Sequence, residues 1–92
     1  MKLEIEKVLV VSTGNITKED SELLTKASEE NTLTVYETEF FYLIPLCQEL
    51  SDKFSIGFGK LFEFAKNHEE GFTHLKLDCD GELLEGFEEF DW

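Results

Sequence analysis

Few residues in this chain have the types and spacing that chemistry requires. Asp78 and Asp80 flank Cys79 ahead of Gly81, His68 and His74 lie upstream, and Cys47 supplies a second thiol. Histidine, cysteine and carboxylate sets hold metals or pair a nucleophile with its base only at defined spacings. The two cysteines lie 32 positions apart with no C-x-x-C pair, so no zinc, redox or disulfide framework is expected, only reduced structural thiols. His68 falls at a helix C-terminus, where the helix dipole favours its cation. His74 alternates with Leu75 on a strand, exposed or hydrogen-bonded. Ser12-Thr13-Gly14-Asn15 stands between a strand and a helix, where backbone N–H groups can cradle an anion. Glu19 and Asp20 directly behind it would repel phosphate. Gly57-Phe58-Gly59-Lys60 lacks the upstream glycine and following hydroxyl of a P-loop. An ordinary β-to-α turn is expected at residues 12–15.

Asp78-Cys79-Asp80-Gly81, after the strand-like His74-Leu75-Lys76-Leu77, resembles the opening motif of haloacid-dehalogenase-type phosphatases. That resemblance implies Asp78 as nucleophile and Asp80 as acid and base. The placement opposes it, because only eleven residues follow Gly81 to supply the remaining catalytic groups. A calcium loop fails as well. Aligning Gly81 with its invariant glycine puts Lys76 at the first ligand position and Phe87 at the twelfth. A turn after an edge strand is the expectation, with no metal and no cofactor.

Charge is the strongest signal. Twenty-one Asp and Glu against eight Lys and no Arg give a formal charge of −13. Clustered cations are what nucleic acids and anionic membranes require, so direct nucleic-acid binding and membrane binding are both disfavoured. A basic partner is favoured. Downstream of Lys76, the last cation, Asp78, Asp80, Glu82, Glu85, Glu88, Glu89 and Asp91 follow with no basic residue among them. Phe87, Phe90 and Trp92 interleave with these charges and can anchor them to a core. Along a strand, residues i and i+2 lie about 6.7 Å apart, near two base-pair steps, so an ordered acidic ribbon can imitate a phosphate backbone. Glu37 and Glu39 on a hairpin complete the candidate surface.

The positioning elements follow from the periodicities. At 92 residues, 41% of them hydrophobic, the chain reads as a single domain spanning residues 1–92. Residues 5–12 form a first, central strand, with a continuous apolar run from Val8 to Val11. Thr17 caps a helix from Lys18 to about Glu30 that Asn31 stops in the left-handed region. Alternation predicts strands over 32–37 and 40–46, paired as a hairpin, with Pro45 ending the second or confining it to an edge. A short helix is expected over 47–54. Phe58, Leu61, Phe62 and Ala65 recur at helical spacing and predict a second helix ending near Asn67 or His68, with Phe64 off the stripe. Phe72 to Asp78 closes the sheet as the last strand. The fold class is α+β, a small sandwich in β-α-β-β-α-β order, mostly antiparallel, with helices on one face in the manner of a split βαβ unit.

Val8-Leu9-Val10-Val11-Ser12-Thr13-Gly14-Asn15-Ile16-Thr17 at one end, with Asp78-Cys79-Asp80-Gly81, Gly86 and Phe90-Asp91-Trp92 at the other, resembles a family of small uncharacterised proteins of phages, plasmids and other mobile elements. The resemblance is loose from about Glu37 to His68 and carries no established active site. In size and charge the chain is also similar to phage-encoded anti-CRISPR and anti-restriction inhibitors, many of which imitate DNA. That likeness implies a basic, nucleic-acid-binding bacterial defence effector as partner. The expected function is therefore non-enzymatic inhibition through Glu37, Glu39, Asp78, Asp80, Glu82, Glu85, Glu88, Glu89 and Asp91. The alternatives are an accessory or antitoxin-like protein on a basic partner, and a small hydrolase using Asp78 and Asp80. A homodimer covering Phe40, Phe41 and Phe64 is a further expectation. Charges at Lys2, Glu4, Glu6 and Lys7 spoil any signal-peptide core, which points to the cytoplasm of a bacterial host.

Overall fold

The computed structural model describes residues 5–90. Its elements run β1 (Val8–Ser12), a 3-10 turn (Thr13–Asn15), α1 (Lys18–Glu30), β2 (Tyr36–Glu37), β3 (Phe41–Pro45), α2 (Ile56–Asn67) and β4 (His74–Asp78). The class and the order are those the sequence predicts. No helix among the described residues is long and apolar enough to cross a membrane.

Local chemistry explains the helix ends. Asp20 N–H donates to Thr17 Oγ1 at 3.0 Å and Thr17 N–H donates back to Asp20 Oδ2 at 3.2 Å, a reciprocal capping box that starts α1. Asn31 ends that helix with φ of 57°, a conformation asparagine tolerates better than most residues. Ser55 starts α2, its hydroxyl accepting from Phe58 N–H at 3.2 Å. Asp20 then joins the two helices, because its carboxylate also accepts from Ser55 N–H at 2.8 Å and Ser55 Oγ at 2.6 Å.

Strand order in the sheet is β1-β4-β3-β2, with β1 parallel to β4 and the other pairs antiparallel. The β1–α1–β2 unit is thus split by two intervening strands, β4 and β3. Register places Leu9, Leu75 and Ile44 in one inward row and Val11, Leu77 and Tyr42 in the next. The buried faces of both helices, Leu24 and Ala27 from α1 and Phe58, Leu61, Phe62 and Ala65 from α2, join these rows in one core. The alternate positions Val8 and Val10 lie exposed on the outer face.

Several expectations need correction. β1 is an edge strand, and β4 lies in the centre, because its Leu75 and Leu77 are flanked on both sides by inward apolar residues. Strand structure spans less than the alternation suggested: only Tyr36–Glu37 of 32–37 pairs, although Leu33 and Val35 still point inward and are buried. No helix forms over 47–54. Leu46, Leu50 and Phe54 reach the core from an irregular segment, which Gln48 ties to Thr34 by accepting from its N–H at 2.9 Å and donating to its carbonyl at 2.8 Å. Both cysteines are free and exposed, so neither is part of the core.

Replacing Asp20 with Ala removes the acceptor for Thr17 and Ser55 donors at once. The expected loss is about 2–4 kcal/mol, read as a lowered urea midpoint, with Asp20→Asn intermediate.

Candidate functional site

The acidic surface begins with the way the chain end is held. After β4, Asp78 turns the backbone: its carboxylate accepts from Asp80 N–H at 2.9 Å and its carbonyl accepts from Gly81 N–H at 3.0 Å. Gly81 then passes against β1 so closely that a Cβ there would sit 2.7 Å from the Val11 carbonyl oxygen. Only glycine fits. Ser12 N–H donates to the Glu82 carbonyl at 3.0 Å, which covers the end of the otherwise open β1 edge.

Asn15 holds the next stretch. Its side chain is 2% exposed; Oδ1 accepts from Leu84 N–H at 2.8 Å, while Nδ2 donates to the Glu88 carbonyl at 3.1 Å. Phe90 N–H finishes the attachment on the Gly14 carbonyl at 2.7 Å. Leu84 and Phe87 pack on the core, and the Phe87 ring meets Phe64 edge-on at 5.3 Å between centroids. Phe64, off the main helical stripe and 39% exposed, is therefore a docking point for the chain end. Gly86, at φ of 88°, supplies the left-handed residue between these two anchors. Residues 79–90 thus form an irregular strap and not a strand, so the regular two-residue spacing of a β ribbon is absent.

The candidate carboxylates separate into two groups. Glu82, Glu85, Glu88 and Glu89 stand exposed along the strap, while Leu84 and Phe87 turn onto the core between them and Phe90 is half-buried. Glu88 lies beside the first turn of α2, within 3.9 Å of where a Gly57 Cβ would sit, where the helix dipole favours a negative charge. Glu37 and Glu39 belong to the hairpin, and with Thr13, Tyr42 and Cys79 they line a cleft of about 290 Å³. Cys79 N–H donates to the Phe40 carbonyl at 3.0 Å, so the hairpin group adjoins Asp78 and Asp80. Glu37 is held by the Thr25 hydroxyl at 2.9 Å, and Tyr42 Oη by Ser21 Oγ at 2.6 Å. Asp91 lies outside the described residues.

Ion pairing leaves most of this charge uncompensated. Among the described residues the pairs are Lys7–Glu70 at 3.9 Å and Lys76–Asp78 at 3.6 Å. Asp78 is half-buried and spends its carboxylate on Lys76 and on the turn, which is the structural role its spacing suggested. Donor atoms of Asp78, Cys79 and Asp80 lie within 4.8 Å of one another, yet they are consecutive on a surface turn, with Cys79 and Asp80 exposed. His68 caps α2, accepts from Glu70 N–H at 3.0 Å and packs between Phe64 and Phe72. His74 Nδ1 bonds Thr73 Oγ1 at 2.8 Å. Neither histidine meets a cysteine in these contacts.

Sequence reasoning missed Asn15 as the clamp. Its only trace was an uncharged, amide-bearing residue at the junction of strand and helix. Asp20 was legible as a first-turn acid, and Thr17-x-x-Asp20 is the pattern of a capping box, but its reach to Ser55 was not visible.

Fold and surface together define a small α+β protein closed by an acidic C-terminal strap. Over residues 8–92 the chain matches the C-terminal domain of DUF5983, a family of unknown function, and it belongs to that family. Neither the curated proteins nor the solved structures include a match. The family match includes β1, the Asn15 clamp and the strap, the two ends that the sequence singled out as those of an uncharacterised family.

Asn15→Ala opens the strap without touching the sheet. The amides of Leu84 and Phe90 should then exchange with solvent roughly ten- to a hundredfold faster, the loss of one or two hydrogen bonds at about 1–2 kcal/mol each, while those of Leu75 and Leu77 stay protected.

Proposed function

We propose that this protein is a non-enzymatic inhibitor that occupies the basic groove of a nucleic-acid-binding protein by presenting DNA-like negative charge. The observation that carries the reading is the fixed strap. Glu82, Glu85, Glu88 and Glu89 project from a segment held at residues 82, 84, 88 and 90 by hydrogen bonds to residues 12, 14 and 15. Carboxylates on a pre-ordered backbone meet a Lys/Arg-lined groove without a large ordering cost, and their potential steers the encounter. Glu37, Glu39 and Asp80 extend the negative surface at the hairpin side, where Asp78, paired with Lys76, adds little.

Because the strap is irregular, the likeness to DNA rests on density and fixity of charge and not on a regular rise. The target class inferred is a bacterial defence effector of the restriction or CRISPR kind, in keeping with the similarity of size and charge to phage-encoded inhibitors. Glu37, held by Thr25, belongs to the same contact surface.

The test is a pull-down of the tagged protein from nuclease-treated bacterial lysate, with bound proteins identified by mass spectrometry and then challenged with duplex DNA. A DNA-binding complex that duplex DNA displaces is the expected result. A partner indifferent to DNA would replace this reading with the accessory or antitoxin-like one. Converting Glu82, Glu85, Glu88 and Glu89 to Lys moves the formal charge from −13 to −5, since each change adds +2. That variant should keep its fold and lose the partner, and undiminished binding would overturn the assignment. Affinity of the unaltered protein should fall about tenfold or more between 50 and 200 mM salt, measured by calorimetry.

A further inference from the structure

A second concave site lies apart from the acidic strap. It is a cavity of about 430 Å³ between the second half of α1 and the segment 49–54. The cavity exists because 47–54 does not coil into a helix. Leu50 and Phe54 stand off from α1 as an opposite wall, and Leu23, Ala27 and Leu33 complete the apolar part of a mixed lining. The walls are held in place. Gln48 is fastened to Thr34 at both ends of its amide, Lys66 Nζ donates to the Gln48 carbonyl at 3.1 Å, and the Phe54 ring meets Phe58 edge-on at 5.2 Å. A preformed apolar cavity of this size falls within the range of small-molecule sites.

Its lining, unlike the strap, carries charges of both signs. Lys26 and Lys53 are among the lining residues, and neither ammonium has an ion-pair or hydrogen-bond partner among the described residues. In a chain with 21 carboxylates and eight lysines, two uncommitted cations at one apolar cavity form a local site for an anion. Glu30 and Glu49 also line the cavity, and they penalise a second negative charge on whatever enters.

We infer that this cavity binds a small amphipathic monoanion, an aromatic or short aliphatic body bearing one carboxylate or sulfonate. The body packs on Leu23, Leu33, Leu50 and Phe54 while the head sits between Lys26 and Lys53. This site is independent of the inhibitor reading, and either can stand without the other.

Decanoate and 8-anilinonaphthalene-1-sulfonate are the probes, titrated into the isotope-labelled protein and followed by amide shifts, with anilinonaphthalene fluorescence as a second readout. Saturable binding of both is expected, with shifts confined to Leu23, Ala27, Leu33, Leu50, Phe54 and their chain neighbours. Decanol should bind more weakly than decanoate, and decanedioate should gain nothing from its second carboxylate. Lys26→Glu combined with Lys53→Glu should weaken decanoate by about tenfold or more, as loss of charge-assisted contacts implies. Lys18→Glu with Lys60→Glu changes the net charge equally at exposed positions outside the cavity and should leave affinity within about twofold, long-range repulsion being screened. Melting temperatures of both doubles confirm that each is folded. Unsaturable or absent binding, shifts elsewhere, equal effects of the two doubles, or decanol binding as tightly as decanoate would overturn the inference.

Discussion

A polar side chain removed from water must recover its hydrogen bonds inside the protein, and here that demand holds the pieces together. The buried polar side chains among the described residues are Asn15, Asp20 and Ser21, all within one short stretch between β1 and the first turns of α1. Each reaches a different part of the chain. Asn15 takes the C-terminal strap, Asp20 the start of α2, and Ser21 the Tyr42 hydroxyl on β3. No buried side-chain nitrogen or oxygen among the described residues is left without a partner. The junction of β1 and α1 thereby fixes the strap, both helix starts and the sheet relative to one another.

This arrangement answers a problem set by composition. A formal charge of −13 on so short a chain repels itself, most of all along a segment with five carboxylates between Asp80 and Glu89 and no cation. Left to electrostatics, such a segment would extend into water. The structure opposes that with hydrogen bonds to residues 12, 14 and 15 and with Leu84, Phe87 and Phe90 half-buried at every third position. The apolar anchors and the carboxylates alternate by side. Fixing the backbone therefore also orders the charge.

The elements most legible in the sequence were those governed by local rules. The Thr17 cap, the extent of α1, the αL stop at Asn31 and the buried stripe of α2 all depend on residues within a turn or two of one another. The hairpin and the inward alternation of Leu75 and Leu77 were legible for the same reason. What failed depended on distant partners. The segment 47–54 is irregular and tied to Thr34 through Gln48, although the spacing of Leu46, Leu50 and Phe54 suits a helix. β1 reads as central because Val8 and Val10 are apolar, yet pairing leaves them on an outer face at the sheet edge.

By itself, then, the sequence determined the class of fold, the order of elements, the two helices and the presence of an acidic, aromatic-studded chain end, because propensity, capping and hydrophobic period act over short separations. Tertiary structure alone decided the order of strands in the sheet, the division of the carboxylates between hairpin and strap, and the cavity beside Lys26 and Lys53. Each of those depends on contacts between residues tens of positions apart, such as Asn15 with Leu84 or Gly81 with Val11, which no local pattern encodes.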